Sequence, residues 1–165
     1  MGVLNIKKQC IGHEWNWIEG SGQAVFSPDG TKYARFQPNN NLNIFDFDRC
    51  AGELSNPVII PFSPDTIFRA GVSFSPNSRF LYAHAYTKLY QFDMQATDVP
   101  ASQLLIDEYD GVADPFPTRF YMGQLALDNK IYISSAGTHE HLHVIHSPDS
   151  LGAVSYTHLT LPTKA

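Results

Sequence analysis

The sequence has few charges and few long apolar runs, and both shortages narrow the classes of protein to which it can belong. Only 16% of its 165 residues are charged, the net charge is −5, and the longest basic cluster is Lys7 with Lys8. Nucleic acid is therefore not expected as a partner, because binding to phosphates needs clustered Lys and Arg. No run of about 18 apolar residues occurs, so we expect no membrane-spanning helix.

Motifs for catalysis and cofactor binding are also scarce. Cys10 and Cys50 are the only cysteines. A disulfide between them remains an alternative, but we favour two separate, small, unbridged side chains. Neither cysteine has a recognisable His and Asp arrangement, and no Gly-x-Ser-x-Gly elbow or phosphate-cradling glycine loop is present. We therefore predict no catalytic residue and no cofactor, and interpret the protein as a non-enzyme.

What the sequence does contain is a repeated strand–turn–strand motif. FSPDGTKYARF begins at Phe26, FSPNSRFLYAH begins at Phe74, and a weaker copy, LALDNKIYIS, begins at Leu125. Proline presets φ for such a turn, Asp or Asn caps its backbone, and glycine accepts a positive φ. The copies are about 50 residues apart, a period typical of propeller blades and solenoid arrays.

Each repeat has room for four short strands, and no stretch shows a capped helical period. The sequence therefore predicts an all-β fold, a partial β-propeller of about three four-stranded antiparallel blades. The predicted boundaries are the end of a preceding blade over 1–22, blades over 23–70 and 71–117, and an incomplete blade over 118–153. A closed propeller needs four to eight blades, so we expect missing blades of the same parent chain. The predicted inter-blade core is Val25, Phe26, Ile44, Phe45, Phe74, Leu81, Leu89, Phe92, Leu125, Ile131 and Val144.

The final residues, VSYTHLTLPTKA over 154–165, do not follow the repeat. They resemble one translated frame of the transposon-end adapter used to prepare sequencing libraries. We interpret them as a non-native tail that belongs to no blade, and the alternative is a natural β-rich tail.

The strings FDFDRCAGELSNP, GVSFSPNSRFLY, LYQFD, QLALDNKIYIS and HLHVIHSPDSLG together resemble a family of bacterial secreted or cell-surface β-propellers. These are WD40-like, YVTN-type repeat proteins, often found in chains with a type IX secretion sorting domain or in gliding-motility-associated proteins. The resemblance implies a binding scaffold outside the cell, without catalytic residues, whose partner is a protein or a surface glycan. The start, MGVLNIKKQC, has no signal-peptide core, so export rests on the resemblance.

The residues most able to bind a metal are His139, His141 and His143 in the segment THEHLHVIH. Alternation on a strand places the three imidazoles on one face, which suits Zn²⁺ or Cu²⁺. Residues two apart on a strand are about 6.6 Å apart, however, which is wide for one site. We therefore favour a solvent-facing polar strand and predict no metal site. Two isolated histidines, His13 and His84, are interpreted as surface or hydrogen-bonded core residues.

Acidic residues gather in IDEYDGVADPF, where Asp107, Glu108, Asp110 and Asp114 could bind Ca²⁺. Their order does not match an EF-hand, so solvated loop charge is the favoured interpretation.

Two functions from different classes remain. The first is a non-enzymatic scaffold that binds through the loops after the first and third strands of each blade, with Pro38–Asn41 and Asp110–Pro117 as candidate contact surfaces. The alternative is part of a propeller-fold enzyme, lactonase-like or hydrolase-like, whose active site lies in the central channel. A structural repeat of a surface filament or adhesin is a third possibility.

Overall fold

A computed structural model describes residues 8–14, 21–63, 69–111, 113, 116–135, 141–152 and 156–160, with the backbone alone given for residues 141 and 156–160. The strands in chain order are β1 (Gln23–Phe26), β2 (Lys32–Gln37), β3 (Asn41–Asp48), β4 (Glu53–Ile60), β5 (Gly71–Phe74), β6 (Phe80–Ala85), β7 (Lys88–Asp93), β8 (Leu104–Glu108), β9 (Gly123–Leu125), β10 (Ile131–Ser134), β11 (His141–Ile145) and β12 (Tyr156–Thr160). One short 3-10 helix, Pro100–Ser102, precedes β8. No helix within the described ranges is long and apolar enough to cross a membrane.

The strands form three antiparallel sheets in simple up-and-down order. The first sheet contains β1 to β4, the second β5 to β8, and the third β9 to β12. The innermost strands contact each other in sequence, β1 with β5 and β5 with β9. This radial arrangement of four-stranded sheets confirms the predicted all-β, partial β-propeller fold, and we refer to the sheets as blades 1, 2 and 3.

The first turn of each of the first two blades forms because of the repeated Ser-Pro-Asp/Asn motif. Ser27 Oγ donates to Asp29 Oδ1 at 2.6 Å and accepts the N–H of the first residue of β2 at 2.9 Å. Ser75 Oγ likewise donates to Asn77 Oδ1 at 2.7 Å and accepts the N–H of the first residue of β6 at 2.9 Å. Equal hydrogen bonds in both copies explain why the motif recurs in the sequence.

The blades share an irregularity as well as a turn. The pairing register shifts between Ile44 and Asp46 in blade 1 and between Leu89 and Tyr90 in blade 2, in each case where the third strand meets the fourth. Such β-bulges increase the local twist of a strand. Their matching position supports the interpretation of the two blades as copies of one unit.

Strand β6 lies at the centre of the core because both of its faces are buried. Leu81, Ala83 and Ala85 pack with the apolar side chains of blade 1, whereas Phe80 and Tyr82 pack with those of blade 3. Alternate side chains of a strand point to opposite faces. A strand covered on both sides therefore carries the largely apolar run FLYAHA, in which His84 is the one clearly polar residue, instead of an alternating pattern.

The predicted core is correct with one exception. Val25 and Leu125 are partly buried against the core, and the other predicted residues apart from Phe26 are buried. The prediction that Phe26 belongs to the core is wrong, because its side chain is 54% exposed. It ends the innermost strand of blade 1, where it contacts the rings of Tyr33 and Phe47 at centroid distances of 5.0 and 4.7 Å and leaves its other side open.

Two sequence predictions concern the ends of the chain. The predicted strand region over 3–18 lies mostly outside the described residues, including both tryptophans. Strand β12, the fourth strand of blade 3, pairs with β11 and falls inside the tail interpreted as adapter-derived. Pairing of the backbone does not bear on the origin of that tail, so its non-native origin and the predicted blade boundaries stay predictions. Cys10 and Cys50 are exposed and unbridged.

Candidate functional site

The candidate site is a pocket where the innermost strands of the three blades converge. Its volume is about 550 Å³. Strands β1, β5 and β9 supply most of the wall, and the rest comes from the turn after β1 and the adjoining part of blade 3. The described residues that line it are Gln23, Val25, Phe26, Pro28, Ser73, Phe74, Met122, Gly123, Gln124, Leu125, Tyr132, Ser134 and Leu142.

The chemistry of the pocket wall is apolar with a few neutral polar groups. None of the described lining residues carries a charge. Phe26 and Met122 are 54% and 43% exposed, although both are large apolar side chains. A concave apolar surface with a small number of neutral hydrogen-bonding groups is the usual form of a binding pocket. The arrangement therefore suits a neutral, mainly apolar ligand.

The pocket wall is held together by the side chain of Gln23, which connects all three blades. Its Oε1 accepts the backbone N–H of Val72 in blade 2 and of Gly123 in blade 3, each at 3.1 Å. Its Nε2 donates to the carbonyl oxygen of Gly123 at 2.6 Å. One carboxamide therefore satisfies three backbone groups on the inner edges of the two neighbouring strands, which would otherwise need water or a ligand.

Behind the pocket, blades 2 and 3 approach so closely that only glycine fits at two positions. A Cβ atom at Gly123 would lie 2.0 Å from His84 Cε1, and one at Gly71 would lie 1.9 Å from the carbonyl oxygen of Tyr121. Both distances are far below any van der Waals contact. The two glycines therefore allow the His84 ring to lie between β5 and β9.

The hydrogen bonds of His84 define its tautomer. Its Nδ1 lies 2.9 Å from the carbonyl oxygen of Tyr121, which can only accept, so Nδ1 carries the proton. Its Nε2 lies 3.0 Å from Ser73 Oγ and therefore accepts the hydroxyl proton. Burial of the ring lowers the pKa of His84 to about 4, and the bond to Tyr121 opposes this only in part. The imidazole is therefore neutral at pH 7 and connects blades 2 and 3.

The Ser73–His84 pair has the form of a nucleophile and its base, because Ser73 also lines the pocket. Two observations favour a structural role. A base with a pKa of about 4 accepts a proton poorly near pH 7, and the Ser73 side chain is itself buried. Of the two alternatives left open for His84, a surface residue or a hydrogen-bonded core residue, the structure shows the second.

The histidine strand was predicted to face solvent, but the structure shows a buried side chain at His143. The His143 side chain is only 1% exposed, and its ring packs on Phe120 at a centroid distance of 4.5 Å. The solvent-facing interpretation is therefore wrong for His143, which lies on the face of β11 that meets blade 2. His139 lies outside the described residues, as does the side chain of His141. Within the described residues no group of three His, Cys, Asp or Glu side chains could hold a metal.

The predicted contact loops also require a correction. Pro38–Asn41 and Asp110–Pro117 follow the second and fourth strands of their blades, not the first and third. Pro38 and Asn40 are buried, and Asn40 Nδ2 donates to Gln37 Oε1 at 2.7 Å. The first loop is therefore not a free contact surface. In the acidic segment, Asp107 and Glu108 belong to strand β8 instead of a loop, and Glu108 lies 3.6 Å from Lys88 Nζ. Asp114 lies outside the described residues.

Four residues of the site, Gln23, Gly71, Gly123 and Ser73, were not predicted from the sequence. A signal was present, because a glycine lies shortly before the turn motif of every copy, at Gly71 and Gly123 inside the innermost strand and at Gly22 directly before it. Recurrence of glycine in strand positions indicates close approach of another backbone. The side chains that approach them come from distant parts of the chain, so the pattern alone does not identify them.

No protein-family model matches the chain, and no curated protein matches it. Similar solved structures include the dihydro-heme d1 dehydrogenase NirN in complex with DHE, at TM-score 0.51 over 86% of this chain and 28% of that one. They also include the β-propeller domain of Swd1 from Myceliophteria thermophila, at 0.48 over 88% and 44%, and a luciferin-regenerating enzyme, at 0.49 over 72% and 38%. Identity is 16% in each case.

The chain has a partial β-propeller fold. It spans less than half the length of each of these solved structures. The likeness to NirN supports the fold alone, because 16% identity carries no residue of an active site across.

Proposed function

We propose that this protein is a non-enzymatic β-propeller scaffold that binds a neutral, mainly apolar group of a partner protein or ligand in the central pocket. The observation that carries the proposal is the uncharged pocket where three innermost strands converge, with Phe26 and Met122 exposed in its wall. Exposed large apolar side chains in a concave surface are typical of binding sites.

The chemistry of the wall restricts the ligand. An ionic ligand would lose its hydration in a pocket whose described lining residues carry no opposite charge, which is costly. Gln124 and the Ser134 hydroxyl supply neutral polar groups at the same wall. The ligand is therefore an apolar body with one or two hydrogen-bonding groups, such as an aromatic side chain of a partner or an uncharged sugar ring.

Binding of the neutral dye Nile red, followed by fluorescence, tests this proposal. We expect Phe26→Asp to weaken binding by roughly tenfold or more, because it removes an apolar wall and adds a charge. Phe116→Asp is the matched control, since Phe116 is equally exposed at 54% but does not line the pocket. Equal effects of the two substitutions would contradict the proposal.

The cellular context is proposed from the resemblance to secreted propellers with FSPDG-type repeats. We place the parent protein outside a bacterial cell or on its surface, exported by a type IX system, with further blades that complete the propeller. Sequencing the reading frame around this segment from source DNA tests this. Further blades with a signal peptide and a sorting domain are expected, and a frame without any of them would contradict it.

A second candidate function, part of a lactonase-like or hydrolase-like enzyme, is favoured by one observation, the hydrogen bond between Ser73 on the pocket wall and His84. Hydrolysis of p-nitrophenyl acetate distinguishes the two. The scaffold proposal predicts the same rate for the native chain and for Ser73→Ala. A rate that falls at least a hundredfold in Ser73→Ala would favour the enzyme.

A further inference from the structure

A second cluster of side chains lies where blades 2 and 3 are connected, and none of its residues lines the central pocket. It is built from the turn between β6 and β7 and from the segment that joins blade 2 to blade 3. The N–H of Phe120 donates to the carbonyl of Tyr86 at 2.8 Å, and the N–H of Tyr109 donates to the carbonyl of Thr87 at 2.8 Å. These two backbone bonds hold both segments in one place.

Arg119 lies between two tyrosine rings of this cluster. Its Cζ atom is 4.7 Å from the centroid of the Tyr86 ring and 5.3 Å from that of the Tyr109 ring. Its Nη1 donates to the Tyr86 hydroxyl at 2.6 Å. The backbone of Tyr86 has φ 62°, a conformation that is uncommon for a bulky side chain. The surrounding structure therefore fixes the guanidinium in plane and position.

Among the described residues, the guanidinium nevertheless has no anionic partner. Arg119 Nε is buried and has no hydrogen-bond acceptor among the described residues. No carboxylate of the described part of the chain forms an ion pair with Arg119, and Glu108, a nearby acidic residue in the sequence, pairs with Lys88. By contrast, Arg79 lies 2.8 Å from Asp93 through its Nη2. A buried donor without an acceptor is rare in native structures and needs an explanation.

We propose that Arg119, Tyr86 and Tyr109 form a binding site for a carboxylate group. The Nε and Nη2 atoms share one edge of the guanidinium, and their two N–H donors match the two oxygens of a carboxylate. Nη1, on the other side, is already bound to Tyr86. The two rings cover the guanidinium and reduce competition from water, which strengthens the ion pair.

The site is separate from the central pocket and differs from it in chemistry, since one binds an anion and the other a neutral apolar group. The two together would let a partner segment with an apolar residue and a carboxylate contact the protein at two points. The proposal for Arg119 does not depend on the pocket, because the two sites share no residue.

The probe for the test is N-acetylglycine, which carries one carboxylate, compared with N-acetylglycinamide, its neutral analogue. The full chain is titrated with each compound, and the backbone amide of Phe120 and the Nε–H of Arg119 are followed by NMR. We expect saturable shifts with the acid, none with the amide, and weaker binding at higher salt. A response to the amide equal to that of the acid, or no saturable response to the acid, would overturn the proposal.

Variants locate the site. Arg119→Lys keeps the charge but loses the paired donors, and we expect roughly tenfold weaker binding of the acid. Arg119→Gln should remove saturable binding. Arg79→Lys is the matched control, because Arg79 already binds Asp93, and it should leave binding unchanged. Equal binding by Arg119→Lys and the native chain would also overturn the proposal, since it would assign binding to charge alone.

Discussion

The carboxamide of Gln23 in blade 1 exchanges two hydrogen bonds with the backbone of Gly123 in blade 3, across 100 residues of sequence. The same Oε1 accepts the N–H of Val72 in blade 2. A single side chain on the innermost strand therefore fixes the relative positions of three blades around the pocket.

Gln23→Ala should lower the free energy of unfolding by about 2–3 kcal/mol, because it leaves three backbone groups of Val72 and Gly123 without their partner. Urea denaturation followed by circular dichroism measures the loss. Gln124→Ala is the control, since Gln124 lines the same pocket on an exposed position, and it should change stability by less than about 0.5 kcal/mol. Equal losses in both variants would show that Gln23 does not connect the blades.

Gly123→Ala should destabilise the fold by about 3 kcal/mol or more, because the new Cβ would lie 2.0 Å from His84 Cε1. His84→Ala removes that ring and should itself be destabilising. The double variant should lose less stability than the sum of the two single losses, because without the His84 ring the new Cβ no longer clashes. Strict additivity in thermal or urea unfolding would contradict the close approach of β9 to His84.

The stability of the fold should decrease at acidic pH because His84 binds a proton more readily in the unfolded chain than in the folded protein. The pKa of His84 is about 4 in the folded protein, lowered mainly by burial, and about 6.5 in the unfolded chain. The unfolded chain therefore binds a proton first as the pH falls. Stability is full above pH 6.5 and decreases by about 3 kcal/mol as the pH falls to 4.

Unfolding measured from pH 7.5 to 4 checks this dependence, with His84→Gln as the comparison. The variant should be less stable at pH 7.5, but its stability should decrease less steeply between pH 6.5 and 4. Parallel curves for the two proteins would mean that His84 does not titrate differently in the folded and unfolded states.

The turn of blade 1 offers a matched pair of substitutions. Asp29 Oδ1 accepts hydrogen bonds from Ser27 Oγ at 2.6 Å and from the N–H of Thr31 at 3.0 Å. Asp29→Ala should cost about 1 kcal/mol of unfolding free energy. Asp29→Asn should cost less than about 0.5 kcal/mol, because Asn77 has the same role in blade 2. A larger loss for Asn than for Ala would contradict this account of the turn.

Local features of the fold were predictable because they depend on neighbouring residues. The Ser-Pro-Asp turn at Ser27 depends on hydrogen bonds within one hairpin, and its recurrence in a second copy strengthens the signal. The all-β fold and the four strands of the first two blades follow from these features, whereas the fourth strand of blade 3 lies in a segment that was not assigned to a blade.

The sequence predictions that failed concern contacts between blades. Phe26 follows the apolar pattern of a core residue, but it ends an innermost strand, where its side chain is 54% exposed. His143 follows the pattern of a polar surface strand, yet its ring is buried against Phe120. Gln23 and Arg119 carry no sequence motif at all. Their roles depend on segments that only the three-dimensional arrangement of the blades brings together.

Backbone hydrogen exchange at Val72 and Gly123 most directly tests the claim that three innermost strands converge on Gln23. Both N–H groups should exchange slowly in the native chain, and in Gln23→Ala both should exchange at least tenfold faster, while amides in the centre of β6 change little. If the two amides exchange at unprotected rates in the native chain, or if Gln23→Ala leaves both protected, the blades do not meet at this side chain and the pocket is not built as described.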